Sequence, residues 1–181
     1  MKSTLFVLLT ALLVNQSAQA SLLLEPYLGY VTGKRDMSTS NNFTGTEYGA
    51  RVGYSMLGFA IGADYQAVSV TDDGSPKTDL TSGDLGLFVA YKFPVLVHAY
   101  ASYFPSPEAK FSNSGASGTY KSGNVMKLGV GFTGFPIVNV NLEYISGTYG
   151  KASAGGFEAD INPKMTTSAY AISISAPFNF L

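Results

Sequence analysis

The 181-residue sequence contains no cysteine, which excludes several kinds of chemistry. Without thiols there can be no disulfide framework, no thiolate metal site, no cysteine nucleophile and no lipid-modified N-terminal cysteine. Charged residues are also scarce, at 13% of the chain compared with about 25% in ordinary soluble domains. A nucleic-acid partner would need a basic face, and the formal net charge of −1 argues against one, so we expect no such partner.

The residues that are abundant favour a sheet protein. Hydrophobic residues make up 46% of the chain, there are 20 glycines, and the aromatic residues are all tyrosine and phenylalanine. The length suits one domain. Low charge combined with many glycine and aromatic residues is typical of a sheet with one face in an environment that is less polar than water.

The first twenty residues have the pattern of an export signal. Lys2 is followed by the apolar segment Leu5–Val14 and by an A-x-A cleavage site at Ala18–Ala20. The apolar segment is too short to cross a bilayer of roughly 30 Å as a helix. We therefore predict a cleaved signal peptide at residues 1–20 and one mature domain at residues 21–181, with a retained membrane anchor as the alternative.

Mass spectrometry of the membrane fraction tests this cleavage site. The mature protein is expected to begin at Ser21, because the enzyme that removes export signals cuts after the small residues of an A-x-A site. A protein that still carries Met1 would contradict the prediction.

The mature sequence shows alternation of apolar and polar residues, which is the pattern of half-buried strands. Each alternating segment has about ten to thirteen residues, long enough to cross a bilayer as a tilted strand. Eight segments are predicted: Leu22–Thr32, Thr46–Met56, Gly58–Val70, Ser82–Phe93, Val95–Phe104, Ser122–Thr133, Ile137–Thr148 and Tyr170–Phe180.

Short and long connections alternate between the predicted segments. Three are predicted as tight turns, at Met56–Gly58, Phe93–Val95 and Gly134–Pro136, and four as long polar loops, at Gly33–Gly45, Thr71–Thr81, Pro105–Lys121 and Tyr149–Met165. Outer-membrane barrels have short periplasmic turns and long extracellular loops. The prediction is therefore an all-β fold, a closed eight-stranded antiparallel up-and-down transmembrane β-barrel.

Alternation alone does not distinguish this barrel from a soluble one with its apolar face inside, such as a lipocalin. The apolar face, however, has its aromatic residues in two bands separated by aliphatic residues such as Leu128 and Val140, which is the girdle pattern of membrane barrels. The band near the long loops contains Tyr30, Tyr48, Tyr65, Tyr103, Tyr144 and Tyr170, and the band near the tight turns contains Phe59, Phe93, Phe132, Phe178 and Phe180.

The whole mature chain resembles the small outer-membrane barrels of the OmpX type and the OmpA transmembrane domain. Its last strand, Tyr170 to Phe180, is similar to the C-terminal signal by which such barrels are assembled, although Leu181 follows the final aromatic residue. The resemblance implies a monomer in the bacterial outer membrane. It also implies contacts with outer-membrane lipid, with lipopolysaccharide and with the barrel assembly machinery.

Charged residues on the opposite face are predicted to form an ion-pair network inside the barrel. The turns place Arg51 opposite Asp64 and Lys127 opposite Glu143, and paired charges avoid the cost of burying either charge alone. A conducting polar pathway is the alternative, but inward-facing Tyr27, Phe88 and Tyr100 favour a filled lumen. The proposed network comprises Glu25, Glu47, Arg51, Asp64, Asp84, Lys92, His98, Lys127 and Glu143.

No catalytic, metal or cofactor site is predicted. His98 is the only histidine, it lies near the periplasmic rim, and Ser102 is about 13 Å along the strand, too far for a hydrogen bond. The favoured function is a non-enzymatic outer-membrane protein whose loops serve envelope integrity, surface interaction or adhesion. The alternatives are a porin-like narrow channel for small or hydrophobic molecules, as in OmpW-like barrels, and a lipid-modifying enzyme.

Overall fold

The computed structural model describes residues 20–113 and 116–180, so the predicted signal peptide, apart from Ala20, lies outside the described residues. Within the described ranges, no helix is long and apolar enough to cross a membrane. The regular structure consists of ten strands: β1 (Ser21–Asp36), β2 (Ser40–Met56), β3 (Phe59–Asp72), β4 (Thr78–Lys92), β5 (Val97–Phe104), β6 (Ala109–Ser112), β7 (Ser117–Phe132), β8 (Asn139–Ala154), β9 (Phe157–Ser175) and β10 (Phe178–Phe180).

These ten strands occupy eight positions around a closed barrel. β5 and β6 follow each other in one position, since both pair with β4 on one side and with β7 on the other. β9 and β10 share another position beside β1, and this pairing closes the sheet. All neighbouring strands are antiparallel. The predicted closed eight-stranded antiparallel barrel is confirmed.

The interruption between β9 and β10 has a covalent cause. Residues 26 and 176 face each other across the β1 ladder, and the Ala176 amide donates to the Pro26 carbonyl over 3.0 Å. Two residues paired in this way in an antiparallel sheet normally exchange two hydrogen bonds. Pro26 has no amide hydrogen to donate to the Ala176 carbonyl, and Pro177 has none either. The register of β1 with its partner is nevertheless the same on both sides of the break, so the predicted last strand continues across it.

Two of the three periplasmic turns are longer than predicted. Phe93 donates its amide to the Val97 carbonyl, and the Thr133 amide donates to the Leu96 carbonyl. In the second turn β5 begins at Val97 instead of Val95, and in the third turn β8 begins at Asn139 instead of Ile137. Both turns contain a proline without an amide donor, which removes possible ladder bonds. The first turn has only Leu57 and Gly58 between its strands, close to the prediction.

The longer second and third turns change the register. Lys127 faces Ile145 rather than Glu143, and Glu143 faces Gly129, so the predicted direct pair is wrong by two residues. Val140 lies opposite Phe132 near the start of β8 and not at mid-strand. The residue at the middle of the aliphatic belt on this strand is Leu142.

The extracellular connections are strands over most of their predicted length. The predicted loop Gly33–Gly45 is a hairpin with only three residues, 37–39, outside strands, and Tyr149–Met165 is a hairpin that turns at Gly155 and Gly156. Inside Pro105–Lys121 lies strand β6. Cross-strand hydrogen bonds satisfy the backbone there although the side chains are mostly small and polar, and this is why composition alone favours loops.

The two faces of the sheet differ in exposure as alternation requires. Large apolar side chains point outward along every strand from β1 to β9 except the short β6, for example Leu85 and Ile172. All eleven predicted girdle residues are exposed on this outer surface. The Tyr144 and Tyr170 rings contact each other at 5.4 Å between centroids. The inward face is mostly buried and holds the candidate functional residues.

Candidate functional site in the barrel interior

Arg51 occupies the middle of the barrel and is almost fully buried, with its side chain 1% exposed. On β2 it lies between β1 and β3. Its guanidinium nitrogens are 3.4 Å from Glu25 and 3.5 Å from Asp64. The guanidinium carbon also lies 3.8 Å from the centre of the Tyr100 ring, a cation–π distance. Arg51 thus links strands on opposite sides of the lumen.

Lys127 enters the same layer from β7 and is completely buried. Its Nζ lies 2.9 Å from an oxygen of Glu47 and 3.2 Å from an oxygen of Glu143. The same nitrogen is 4.6 Å from the centre of the Tyr27 ring. Lys127 therefore pairs with Glu143 despite the changed register, because the long side chain reaches a diagonal neighbour.

Tyrosine and serine hydroxyls connect the carboxylates to the wall. Tyr27 and Ser102 donate to the two oxygens of Asp64 over 3.0 and 2.6 Å. Tyr100 donates to Glu143 over 2.5 Å, and Ser175 on β9 donates to Glu25 over 2.6 Å. We call this layer, formed by Arg51, Lys127, Glu25, Glu47, Asp64, Glu143 and their hydroxyl partners, the central network.

Two glycines on the inward face make room for the rings of the central network. A Cβ at Gly49 would lie 2.5 Å from the Tyr27 ring, and a Cβ at Gly129 would lie 2.2 Å from the Tyr100 ring. Such distances are too short for any side chain. Glycine at these positions lets the large rings lie flat against the wall and fill the lumen.

The structure brings six of the nine predicted network residues together and leaves three apart. Asp84 accepts a hydrogen bond from the Glu108 amide, near the extracellular end. Lys92 is exposed at the periplasmic end and makes no ion pair among the described residues. His98 is buried beside Tyr100 and lines a periplasmic cavity of about 360 Å³ together with Glu25 and Lys92.

The interior shows no arrangement for nucleophilic catalysis by Ser102. Its hydroxyl donates to the Asp64 carboxylate in the central network. It is therefore bound to a carboxylate and not to His98, the one histidine of the sequence. Within the described residues, no group of three or more acidic or histidine side chains could hold a metal ion.

The extracellular half of the interior is mostly apolar, a feature that the predictions above do not include. Above the central network, inward residues from all the barrel positions form a hydrophobic core: Val31, Phe43, Val70, Leu80, Phe104, Ala109, Val125, Ile145, Tyr149, Met165, Ala169 and Ala171. The signal was present in the alternation, since Val31, Phe104 and Ile145 occupy inward positions of their strands. The prediction covers the charged residues and the rings of Tyr27, Phe88 and Tyr100, and it does not extend to this apolar part of the inward face.

Comparison with known proteins gives a likeness of fold only. No protein-family model matches the sequence, and neither does any curated protein. The structure is similar to Neisserial surface protein A, with a TM-score of 0.63 and 15% identity over 86% of this chain and 97% of that one. It is also similar to Ail, the attachment invasion locus protein of Yersinia pestis, with a TM-score of 0.57 and 12% identity over 87% and 99% of the two chains.

Both similar proteins are small barrels, and this chain matches nearly their whole length. At 12–15% identity they establish architecture and no shared activity. Together with the closed sheet, the outward apolar surface and the buried charged interior, they define the class. This chain has the fold of the small eight-stranded outer-membrane β-barrels.

Proposed function

We propose that this protein is a non-enzymatic integral outer-membrane protein that presents β-hairpins at the cell surface and does not conduct through its lumen. The observation that carries the proposal is the central network, which spans the interior with Arg51 and Lys127 fully buried. A water-filled pore would leave such long cations solvated. Export through cleavage before Ser21, and insertion by the barrel assembly machinery through the last strand, are parts of the same proposal.

The residues on the outer face of the barrel indicate which membrane molecules contact it. Girdle tyrosines and phenylalanines at two levels are suited to the two interfaces of a bilayer, with an aliphatic belt against lipid chains. We propose that outer-membrane lipid contacts the belt and that lipopolysaccharide contacts the tyrosine band. A monomer is sufficient for this arrangement, since the sheet closes on itself and leaves no edge along the belt.

The hairpin formed by β8 and β9 is the most prominent candidate for surface contacts. Residues 154–160 are all exposed, and Phe157 at the turn is 84% exposed, the highest value among the large apolar side chains that the structure describes. The residue after Phe157 is Glu158, whose carboxylate lies 2.5 Å from the Lys121 ammonium and 2.8 Å from that of Lys151. Hydrogen bonds from these two lysines lower the pKa of Glu158 to about 2, so the Glu158 carboxylate stays ionised at neutral pH.

The comparisons are consistent with a surface role. Ail is named for attachment and invasion, and it has also been solved in complex with a heparin analogue, sucrose octasulfate. The other similar barrel is named a surface protein. We propose that this chain likewise uses its extracellular hairpins, with the β8–β9 hairpin making the largest contribution to binding.

A shortened hairpin tests the surface role. Lys151 and Asp160 face each other, so replacing residues 152–159 with Asn-Gly would close the hairpin with a two-residue turn that antiparallel strands accept. Bacteria producing wild-type protein are expected to bind cultured animal cells or immobilised sulfated polysaccharide, and the shortened variant is expected to lose most of this binding.

The matched control is Leu142→Met on the outer face, which leaves the hairpins intact. It should bind as the wild type does at equal surface abundance. Equal binding by the shortened variant, or wild-type binding no greater than that of bacteria lacking the protein, would contradict the surface role.

A further inference from the structure

The hydrophobic core above the central network contains a cavity of about 90 Å³. Its lining is mostly aliphatic and aromatic and comes from strands all around the barrel, including Val31 on β1, Phe43 on β2, Val70 on β3, Val125 on β7 and Ile145 on β8. Six polar side chains also line it: Arg35, Gln66, Thr81, Ser82, Asp84 and Thr167. Each of the five apolar side chains named is at most 9% exposed. The cavity therefore lies on the barrel axis and is enclosed by the wall.

The central network closes this cavity on the periplasmic side. Gln66 lies in the cavity lining, and its amide donates to Glu47 over 3.1 Å, next to Lys127. Beyond this layer there is a separate, more polar cavity near His98 at the periplasmic end. The upper cavity is thus a dead end and not a segment of a continuous channel.

An ion pair lies at the extracellular side of the same cavity. Arg35, which also lines the cavity, is 2.6 Å from Asp72, and the Asp72 carboxylate is almost fully buried. The charges of Arg35 and Asp72 are therefore neutralised by each other. Neither provides a free charge for an ionic ligand. The other charged residue of the lining, Asp84, accepts a hydrogen bond from the Glu108 amide, and the apolar side chains that make up most of the lining favour a neutral molecule.

Water has little reason to occupy the middle of the cavity. A buried water needs two to four polar partners, whereas an apolar cavity stays dry and takes up apolar guests. Val31, Val70 and Ile145 offer no hydrogen-bonding atoms in their side chains. An engineered apolar cavity of roughly 150 Å³ accepts benzene or xenon, so a cavity of this size suits a smaller guest than benzene.

We propose that the extracellular half of the barrel interior is a binding site for one small, neutral, apolar molecule. The guest would contact the valine and isoleucine side chains and gain the dispersion contacts that the lining lacks around an empty space. Met165, which is 1% exposed and lines the cavity, gives the site some adaptability, since its unbranched chain can change shape. This site is independent of the proposed surface contacts of the hairpins.

Xenon is the probe for this site, with methyl NMR of the refolded full mature chain in lipid nanodiscs as the readout. Methyl signals of Ile145 and Met165 are expected to shift with xenon pressure and to reach saturation. The lipid-facing methyls of Ile61 and Ile174 serve as an internal control. They should shift only in proportion to pressure, because xenon dissolves in lipid without a defined site.

Filling the cavity should remove the saturable shift. Val70→Ile adds one methylene to the lining, and Val125→Ile does so from another strand, so one variant remains if the other fails to fold. Met165→Ala should enlarge the cavity and extend binding to benzene. Proportional shifts alone at Ile145 and Met165, or a saturable shift that persists in both filled variants, would overturn the proposal. So would nuclear Overhauser contacts between water and these methyls.

Discussion

Replacing Lys127 with methionine is expected to destabilise the folded barrel by about 3–5 kcal/mol, the cost of removing one partner from a buried ion pair. The central network has four carboxylates, those of Glu25, Glu47, Asp64 and Glu143, and two cations. Loss of Lys127 leaves the buried carboxylates of Glu47 and Glu143 without the ammonium that contacts both. Equilibrium unfolding by urea in lipid vesicles would measure the change in the free energy of unfolding.

The same substitution at Lys92 provides a matched control. Lys92 is on the inward face of β4 but is exposed at the periplasmic end. Lys92→Met should therefore cost less than about 1 kcal/mol, as for exposed charges. Adding Glu47→Gln to Lys127→Met should recover part of the loss, because it removes one of the carboxylates left unpaired. Similar costs for Lys127→Met and Lys92→Met would mean that water reaches the network.

Arginine in place of Leu142 is expected to cost about 2–4 kcal/mol, the range for a cation on the lipid face near the middle of the bilayer. Leu142 is 55% exposed and lies between Val130 and Ile172, in the middle of the aliphatic belt. Folding titrations in vesicles would measure the cost. The control Leu142→Met keeps an apolar side chain and should change stability little.

The result for Leu142→Arg distinguishes a membrane barrel from a soluble one. On a surface that faces water, an arginine would be well solvated and the substitution would be close to neutral. A cost below about 1 kcal/mol, in the usual range of surface substitutions, would therefore contradict the assignment of this face to lipid.

The architecture was predictable because one physical pattern extends over most of the chain. Strict alternation, as in Tyr170, Ile172 and Ile174 against Ala171 and Ser173, identifies a strand without knowledge of its neighbours. The alternation of short and long connections then gives the order of the strands. This part of the prediction depends only on local sequence, and the structure confirms it.

Register was less predictable because it depends on a few backbone hydrogen bonds in the turns. The sequence Phe93–Val95 does not show that the ladder resumes only at Val97, nor does Gly134–Pro136 show that Ile137 stays outside β8. Prolines in both turns remove donors, and the chain compensates with longer connections. The shift moved Val140 from the predicted centre of the belt to the phenylalanine girdle.

The charged layer of the interior was predictable from the sequence, and the apolar extracellular half was not. Arg51 and Lys127 stand out because a charged residue on the inward face of a narrow barrel must find a partner, and the structure places both in one layer. The apolar half does not follow from the charged residues, although Val31 and Ile145 continue the inward alternation. The apolar core begins at the level of the tyrosine band, since Val31 and Ile145 directly follow Tyr30 and Tyr144, and it holds together the strands that extend beyond this band. Composition suggested loops there instead.

The closed lumen is the central claim, and single-channel recording in planar lipid bilayers tests it most directly. Purified, refolded wild-type protein should give no steady unit conductance, because the central network and the rings of Tyr27 and Tyr100 fill the lumen at mid-depth. A steady unit conductance from the wild-type protein would contradict the account and would favour a narrow channel.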